Sequence, residues 1–595
     1  MLLKFKKTAV EQFFTPYSIG DFNITQDEKR LLFSSNMNGK VNIYAMDLPH
    51  TYPYQFSVKD ESASFIQPAP DNSYVLAGFD KDGNENHKIY AIPPQGGMPE
   101  QLIEADVDDK FMFTKLSKDG TKVYYTSSKG NASYLNSYVY DIGTEEEVLL
   151  HEGEGGPTHL VDVSQNEENS VYLTAFANTH MIGFIKTADG TEYLTPDIEK
   201  VHTVSSISFV KDDEAWFVTN YDSEYSYLAK YDLTTKSFEK VLDFDRESLV
   251  LMKYNRHTNM MYLITQKGVV QKLYYYDLNH DQLEPVIAPV TIFDRLVTTR
   301  SGALYIKGTS ATVPVNIFKY EDEAWEQLTK NKVLGVTPRA MVEPETITYK
   351  SFDGLEIEAL LFRAKEDRAN GYTIFWPHGG PQYNESKSFR AMFQMFLNRG
   401  YNVFCPNFRG STGYGAEFVK MVEGDWGHGP RLDNVKGVEW LFQEGISSPE
   451  KLFLVGGSYG GYMALLLHGR HPEYFKAVVD IFGVSNLFTF YDSVPEHWKP
   501  MMKQWVGDPV KDEERFRTDS PVTYLDTMTR PMLVIQGAHD PRVVKEESDQ
   551  IVEKLRAAGR EVEYIVLDDE GHGFSRKRNE ILVYEAMLEF LEKHQ

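Results

Sequence analysis

The sequence predicts two domains of different fold class, an N-terminal β-propeller and a C-terminal α/β domain built on a mainly parallel sheet. Two observations predict them: short aromatic strands recur at a nearly constant spacing in the first half, and apolar strands alternate with helices in the second. The chain has 595 residues, too many for one hydrophobic core, so two or more domains are expected. We place a short, possibly helical extension at 1–22, the propeller at 23–340 and the α/β domain at 341–595.

Five aromatic segments predict the propeller. Four of them end on an acidic residue, at positions 47, 141, 232 and 277, so their ends are 94, 91 and 45 residues apart. A period near 45 with several short strands per unit is typical of a β-propeller, and about 315 residues would hold seven blades. A β-sandwich with coincidental spacing is the alternative. The segments, each interpreted as the end of a unit, are 42–47, 137–141, 228–232, 273–277 and 316–320.

The pattern changes after about residue 340, where apolar runs of strand length alternate with helical segments. In the segment 548–558, for example, Ile551, Val552 and Leu555 share one helical face. Strands that alternate with helices indicate a mainly parallel sheet covered on both sides. The predicted strands are 372–376, 402–405, 452–455, 477–481, 532–535 and 563–567.

One strand-to-helix junction carries a candidate nucleophile. Residues 456–460, GGSYG, follow the strand 452–455 and precede a run of helix-forming residues. They fit G-x-S-x-G, the nucleophile elbow of α/β-hydrolases, in which small neighbours permit a strained turn that exposes the serine oxygen. The C-terminal domain is therefore predicted to be an α/β-hydrolase domain. A Gly-rich loop would also fit five residues, so Ser458 needs a base, an acid and oxyanion donors elsewhere.

Two later strand ends supply the base and the acid in the order that α/β-hydrolases use, serine, then acid, then histidine. Asp540 follows the strand 532–535, and His572 follows the strand 563–567 between two glycines. We predict Asp540 and His572 as the partners of Ser458. The competing residues fit less well: His539 precedes the acid, Asp568 and Asp569 are typical of a solvated strand end, His468 lies in the helix after the elbow, and His594 is close to the last residue.

The segment 376–381, WPHGGP, follows a predicted strand and is similar to the HGG-type oxyanion motif. We predict that the backbone N–H groups of Gly380 and Tyr459 stabilise the oxyanion formed when the serine attacks. A tight turn is the alternative interpretation of HGGP.

Together these motifs resemble the prolyl oligopeptidase family of serine peptidases, and the resemblance covers the whole chain. It implies a propeller that covers the active site of an α/β-hydrolase domain. It also implies Ser458 as nucleophile, Asp540 as triad acid, His572 as base, and Gly380 and Tyr459 as oxyanion donors. The loop 410–415 is expected to shape the rim of the site. The motifs are GGSYGGYM at 456–463, HGGP at 378–381, NFRGSTGYG at 407–415, GAHDPRV at 537–543 and EGHGF at 570–574.

The HGGP and NFRGSTGYG motifs most resemble those of the acylaminoacyl-peptidase branch of the family. This resemblance implies release of N-acylated amino acids from short blocked peptides. Dipeptidyl peptidases instead hold a free amine with paired propeller glutamates among aromatic residues. The segments 145–147 and 167–168 contain adjacent glutamates without that aromatic framing. An endo-acting prolyl oligopeptidase, a dipeptidyl peptidase, a carboxylesterase and a non-catalytic binding scaffold remain alternatives.

Composition excludes several function classes. The net charge is −26, from 61 basic and 87 acidic residues, which argues against nucleic acid or an anionic membrane as a partner. No run of 18 apolar residues occurs and no signal peptide is evident, so a cytoplasmic location is expected. Cys405 is the single cysteine, which excludes an intrachain disulfide. No HExxH or P-loop pattern is present, so neither a metal nor an organic cofactor is expected.

The first 20 residues mix lysines with apolar residues at spacings that suit one helical face. Such a stripe has no place in a blade and should dock on the hydrolase domain or on a second subunit. We therefore expect a homo-oligomer, most simply a dimer. The apolar residues are Leu2, Leu3, Phe5, Val10, Phe13 and Phe14.

Overall fold

The computed structural model describes residues 8–595. Within these residues, seven four-stranded antiparallel sheets are followed by one eight-stranded sheet, which confirms the predicted propeller of seven blades and the α/β-hydrolase fold. The first strands of neighbouring blades contact one another around the ring, so they line the propeller axis. Blade 7 closes on blade 1 through Ser301, whose backbone N–H and hydroxyl both donate to Glu28.

The propeller strands, four to a blade, are β1 (Phe22–Ile24), β2 (Arg30–Ser35), β3 (Asn42–Asp47), β4 (Tyr54–Gln55), β5 (Ala63–Pro68), β6 (Val75–Phe79), β7 (Lys88–Ile92), β8 (Glu100–Gln101), β9 (Phe111–Leu116), β10 (Lys122–Ser127), β11 (Asn136–Asp141), β12 (Glu147–Glu152), β13 (Thr158–Val163), β14 (Ser170–Ala177), β15 (His180–Thr187), β16 (Gly190–Tyr193), β17 (Val204–Lys211), β18 (Glu214–Thr219), β19 (Tyr227–Asp232), β20 (Ser237–Leu242), β21 (Ser248–Asn255), β22 (Met260–Lys267), β23 (Val270–Asp277), β24 (Gln282–Val286), β25 (Ile292–Thr298), β26 (Leu304–Ser310), β27 (Val313–Glu321) and β28 (Ala324–Gln327).

The five aromatic segments that predicted the repeat are all third strands of their blades: β3, β11, β19, β23 and β27. They do not end the units, as the sequence suggested, because a fourth strand pairs with each of them on the outside. These fourth strands carry many exposed residues and lack the aromatic pattern, so they could not be recognised from the sequence.

Loops between the second and third strands of the blades face the α/β-hydrolase domain. Successive connections of an antiparallel sheet lie at opposite ends, so the hairpins that join first to second and third to fourth strands lie on the opposite side. We call these two sides the inner and the outer face of the propeller. Hydrogen bonds from inner-face loops join Asn36 to Ser575, Asp82 to Arg576, Asn178 to Gln382, Glu224 to Glu417, Gly268 to Gly413 and Thr312 to Glu343.

The hydrolase sheet has the strand order β29-β30-β32-β31-β33-β34-β35-β36. β30 is antiparallel to both of its neighbours, and all pairs from β32 onward are parallel. The strands are β29 (Glu345–Lys350), β30 (Glu356–Phe362), β31 (Thr373–Phe375), β32 (Asn402–Pro406), β33 (Leu452–Gly457), β34 (Ala477–Ile481), β35 (Met532–Gly537) and β36 (Val562–Leu567).

Helices cover both faces of this sheet, which explains why its central strands are mostly apolar, whereas the edge strand β29 is largely exposed. Along β33, for example, Leu452 and Leu454 belong to one buried cluster, whereas Phe453 and Val455 belong to the other. The helices of the described chain are α1 (Val10–Phe13), α2 (Ala391–Asn398), α3 (Ala416–Lys420), α4 (Gly429–Gln443), α5 (Tyr459–Arg470), α6 (Leu487–Ser493), α7 (Lys499–Trp505), α8 (Glu513–Asp519), α9 (Lys545–Ala557) and α10 (Lys577–Lys593). Among residues 8–595, no helix has the length and apolar character needed to cross a membrane.

The short helix α1 docks on the hydrolase domain of the same chain, where it contacts α2 and α10. Val10, Phe13 and Phe14 are buried there, and the Phe14 ring stacks on Tyr584 at a centroid distance of 4.6 Å. Because Val10, Phe13 and Phe14 are already covered within the chain, they give no reason to expect a second subunit, and the homo-oligomer stays a prediction. Of the other apolar residues in the extension, Leu2, Leu3 and Phe5 lie outside the described residues.

Candidate active site

Ser458 occupies a sharp turn between β33 and α5. Its backbone has φ 59° and ψ −123°, a conformation that is costly for a residue with a side chain. The turn is held because Ser458 N–H donates to the carbonyl of Ile481 at 2.9 Å. The serine is thus presented at the carboxyl end of the parallel strands and at the N-terminus of a helix.

The glycines around Ser458 are required by close backbone contacts. A Cβ on Gly456 would lie 2.0 Å from the carbonyl oxygen of Gly460, and one on Gly460 would lie 2.2 Å from that of Pro377. A Cβ on Gly461 would lie 2.5 Å from Asp480 Oδ1. The turn and the close approach of α5 to the sheet therefore exclude side chains at these positions.

The structure brings the three predicted triad residues together. His572 Nε2 lies 2.9 Å from Ser458 Oγ, and His572 Nδ1 lies 2.6 Å from Asp540 Oδ2. Because the carboxylate accepts from Nδ1–H, Nε2 is left free to accept the serine proton. The other oxygen, Asp540 Oδ1, accepts from the backbone N–H groups of Arg542 and Val543 at 2.9 and 3.0 Å. The geometry is that of a nucleophile, a base and an orienting acid.

Two of the competing residues, His468 and Asp569, are bonded to residues other than Ser458. His468 is buried, burial lowers its pKa to about 3, and its Nε2 accepts from the backbone N–H of Arg530. Asp569 pairs with Arg576 and Arg578, and Asp568 is exposed. None of these interactions involves Ser458.

The HGGP loop passes beside the nucleophile. A Cβ on Gly379 would lie 3.4 Å from Ser458 Cβ, so this loop borders the serine directly. Gly380 has φ 122°, and the Gly380–Pro381 bond is cis. Tyr459 is the first residue of α5, where a backbone N–H has no carbonyl partner within the helix. The N–H groups of Gly380 and Tyr459 thus come from two segments that flank Ser458, and their role as oxyanion donors stays a prediction.

The sequence of the hydrolase domain was compared with known protein families. Residues 387–595 match the model of the prolyl oligopeptidase family. The hydrolase domain belongs to the prolyl oligopeptidase family. The resemblance seen in the sequence motifs is thereby confirmed.

The relatives that this domain matches differ in name. Dipeptidyl aminopeptidase BIII of Pseudoxanthomonas mexicana is 40% identical over 207 residues, which are 34% of this chain and 30% of that protein. Acylamino-acid-releasing enzyme 1 of Oryza sativa subsp. japonica is 27% identical over 249 residues, 40% of this chain and 32% of that protein. The chain thus spans about a third of the length of these curated relatives. A crystal structure of puromycin hydrolase has a TM-score of 0.83 at 17% identity, over 97% of this chain and 95% of that one, a likeness in fold alone.

His378 of the HGGP motif holds its own loop and was not singled out by sequence. Its ring stacks on Phe408 at a centroid distance of 4.3 Å, and burial lowers its pKa to about 4, so it is neutral. Nδ1 lies 2.7 Å from the carbonyl oxygen of Gly379, which can only accept, so Nδ1 carries the proton. Nε2 lies 2.8 Å from Ser411 Oγ, whose hydroxyl proton is shared with the carbonyl oxygen of Phe408 at 2.6 Å. His378 therefore fastens the HGGP loop to the loop 410–415.

The loop 410–415 also contacts the propeller. Besides the contact of Ser411 with His378, the carbonyl of Gly413 accepts from the backbone N–H of Gly268 in blade 6 at 2.8 Å. A Cβ on Gly413 would lie 2.7 Å from the carbonyl oxygen of Gly268. This loop thus connects the propeller to the segment beside Ser458.

Two residues support His572. Glu570 is buried and accepts from the backbone N–H groups of Ser575 and Arg576, both at 2.9 Å, which closes the loop around the histidine. Phe482 has φ 42°, and its ring centroid lies 4.5 Å from that of His572. Glu570 could have been recognised from the sequence because it belongs to the EGHGF motif, whereas no sequence pattern pointed to Phe482.

The propeller reaches the triad loops through the segment between β6 and β7. Asp82 Oδ1 accepts from Arg576 Nη2 at 2.8 Å, four residues after His572. Glu85 Oε1 lies 2.7 Å from Arg542 Nε, two residues after Asp540. One propeller loop therefore contacts the loops of both the base and the acid.

Proposed function

We propose that this protein is a serine peptidase that hydrolyses short peptides through an acyl-enzyme on Ser458. The observation that carries the proposal is the chain of hydrogen bonds from Asp540 through His572 to Ser458, at 2.6 and 2.9 Å. A hydroxyl is a weak nucleophile, and a base at hydrogen-bonding distance activates it.

The geometry supports the following steps. Ser458 Oγ attacks the scissile carbonyl while His572 Nε2 takes the hydroxyl proton, and the Asp540 carboxylate stabilises the imidazolium. The negative oxygen of the tetrahedral intermediate accepts from the N–H groups of Gly380 and Tyr459. The imidazolium then donates its proton to the leaving amine, which leaves an acyl-enzyme. Water attacks the ester with His572 again as base, and the peptide acid is released.

The position of the propeller favours short substrates. Inner-face loops of six blades form hydrogen bonds to the hydrolase domain or to the segment leading into it. The loops of blades 4 and 6 bond to Gln382 and Gly413, which lie in the two loops that His378 joins near the nucleophile. A folded protein could reach Ser458 only if these contacts opened. We therefore expect a steep fall in kcat/KM as a peptide series is extended.

For the amino end of the substrate, we propose a preference for N-acylated peptides. The adjacent glutamates at 145–147 and 167–168 lie in outer-face hairpins, away from the hydrolase domain. Glu85, which does reach the triad loops, is already paired with Arg542 and lies 3.8 Å from Lys110. A free ammonium group would have to compete with two cations for this carboxylate.

A dipeptidyl peptidase activity is the second candidate, because the relative from Pseudoxanthomonas mexicana carries that name. The same Glu85 would then be the group that receives the substrate amine. The two proposals predict different responses to one substitution, Glu85→Gln.

The test compares four nitroanilides: acetyl-Phe, free Phe, acetyl-Gly-Phe and free Gly-Phe. Highest kcat/KM on acetyl-Phe supports release of acylated amino acids, and highest kcat/KM on free Gly-Phe supports a dipeptidyl peptidase. Because Glu85 also pairs with Arg542 beside Asp540, Glu85→Gln can lower all four rates; if Glu85 binds an amine, it should lower kcat/KM for free Gly-Phe by a larger factor than for acetyl-Gly-Phe. Equal rates on acetylated and free forms would refute the acyl preference and leave the serine peptidase intact. Turnover of long-acyl esters without any nitroanilide turnover would instead indicate a carboxylesterase.

A further inference from the structure

The propeller axis contains a cavity of about 650 Å³ that opens on the outer face, away from the hydrolase domain. First strands of all seven blades line it, and its outer end is bordered by the hairpins that carry Arg256, His257 and Arg300. Its volume lies within the range of roughly 300–1,000 Å³ that is usual for small-molecule sites.

The charges that line this cavity are unbalanced. Lys115 Nζ lies 2.7 Å from Asp162, and Arg295 Nε lies 3.0 Å from Asp21. These two pairs use both acidic side chains of the lining. No carboxylate among residues 8–595 lies within 4.0 Å of the remaining three cations. The five basic residues of the lining are Lys115, Lys253, Arg256, Arg295 and Arg300.

An excess of cations at this place is unexpected in a chain with a net charge of −26. Lys253 lines the channel, and the surrounding protein together with the charge of Arg295 lowers its pKa. At the mouth, His257 has a lowered pKa because of partial burial and the neighbouring charges of Arg300 and Arg256. Arg295 and Lys115 thus repel the charge of Lys253, Arg300 and Arg256 repel a charged His257, and a bound anion would relieve both repulsions.

We propose that the outer end of the propeller channel is a binding site for a small polyanion, held by Lys253, Arg256 and Arg300. Two guanidinium groups provide planar donor pairs that match phosphate or carboxylate oxygens, and the lysine adds a charge deeper in the channel. The ligand class is a compact molecule with two or more phosphate or carboxylate groups. The site is separate from Ser458, which faces the opposite side of the propeller.

Isothermal titration of the full-length protein with inorganic pyrophosphate, at constant ionic strength, tests this site. We expect saturable binding of one pyrophosphate per chain, and a Kd at least tenfold higher in Lys253→Met and in the double variant Arg256→Gln/Arg300→Gln. Lys118→Met is the matched control, because Lys118 is an exposed lysine in another outer-face hairpin and not part of the lining. A parallel titration with citrate shows whether phosphate or carboxylate is the better ligand.

A second measurement, thermal melting, includes one comparison that needs no ligand. Without added anion, Lys253→Met should melt at a higher temperature than the parent protein, because one repelling charge is gone, and added pyrophosphate should raise the Tm of the parent alone. Absence of saturable binding to both anions at millimolar concentration would overturn the proposal. So would an equal increase in Kd in Lys118→Met, since that result would indicate a diffuse charge effect.

Discussion

Gly83 of the propeller packs against Gly571, the residue that precedes His572. A Cβ on Gly83 would lie 2.7 Å from the backbone nitrogen of Gly571, and a Cβ on Gly571 would lie 2.1 Å from the carbonyl oxygen of Gly83. The two backbones touch because neither residue has a side chain. Together with the ion pair between Glu85 and Arg542, this contact makes the propeller part of the support of the triad.

This contact leads to a first prediction, that Gly83→Ala lowers kcat by about 10- to 100-fold. The added methyl group must displace the loop of His572, and a shift of about 1 Å in a reacting group can cost 10²-fold. Measurement of kcat on an acylated nitroanilide would show the loss. Gly130→Ala is the matched control, because Gly130 has φ 71° against 79° for Gly83, but a Cβ there meets nothing within 4 Å. An equal loss in both variants would show that backbone strain alone is responsible.

The second prediction concerns the nucleophile. Ser458→Ala should abolish turnover by about 10⁶-fold, the scale of loss when a serine-protease nucleophile is removed, with little change in Tm. A fluorophosphonate probe followed by peptide mass spectrometry should find the label on Ser458 in the parent protein and none in the variant. Modification of a different serine, or turnover in the variant near that of the parent, would contradict the assignment.

The third prediction concerns the acid. Asp540→Asn should lower kcat by about 10⁴-fold at neutral pH, because an amide at this position favours the wrong tautomer of His572. Asp568→Asn, an exposed carboxylate near the same loop, should retain the parent rate. Steady-state kinetics of both variants decide between them, and a large loss in Asp568→Asn with an active Asp540→Asn would reverse the two roles.

The fourth prediction concerns Asp480, a buried carboxyl group beneath the nucleophile elbow. Oδ1 accepts from the backbone N–H of Gly483 at 2.9 Å, Oδ2 has no hydrogen-bond partner within residues 8–595, and burial raises the pKa of the group to about 7. A pKa raised above that of the unfolded chain means that the folded state binds the extra proton. Its contribution to stability is therefore present at acidic pH and is lost as the pH rises from about 4 to about 7.

Asp480→Asn removes this penalty and should raise Tm more at pH 8 than at pH 5. A shift of about 3 pKa units sets an upper limit of about 4 kcal/mol on the gain. Differential scanning calorimetry at the two pH values measures it, with Asp568→Asn as the control for loss of one negative charge. A Tm difference that is the same at both pH values would show that Asp480 is ionised throughout.

Much of the architecture could be predicted from local sequence pattern. The five aromatic segments indicated five of the blades. Side chains alternate between the two faces of any strand, so this pattern can be recognised without knowing which strands lie beside it. The triad residues were recognisable because each stands at the end of a predicted strand beside glycines, in the order serine, acid, histidine. The fourth strands of the blades escaped notice, since strands such as Ser237–Leu242 are largely exposed and lack the apolar alternation.

The sequence by itself determined the fold class, the two domains and the candidates Ser458, Asp540 and His572. Only the tertiary structure decided which propeller loop meets the triad and which charges share the channel. Gly83 and Gly571, like Lys253 and Arg295, lie on different blades or domains, and their proximity depends on closure of the ring and docking of the domains. Such contacts arise from the packing of whole elements, so neither strand period nor helix period carries information about them.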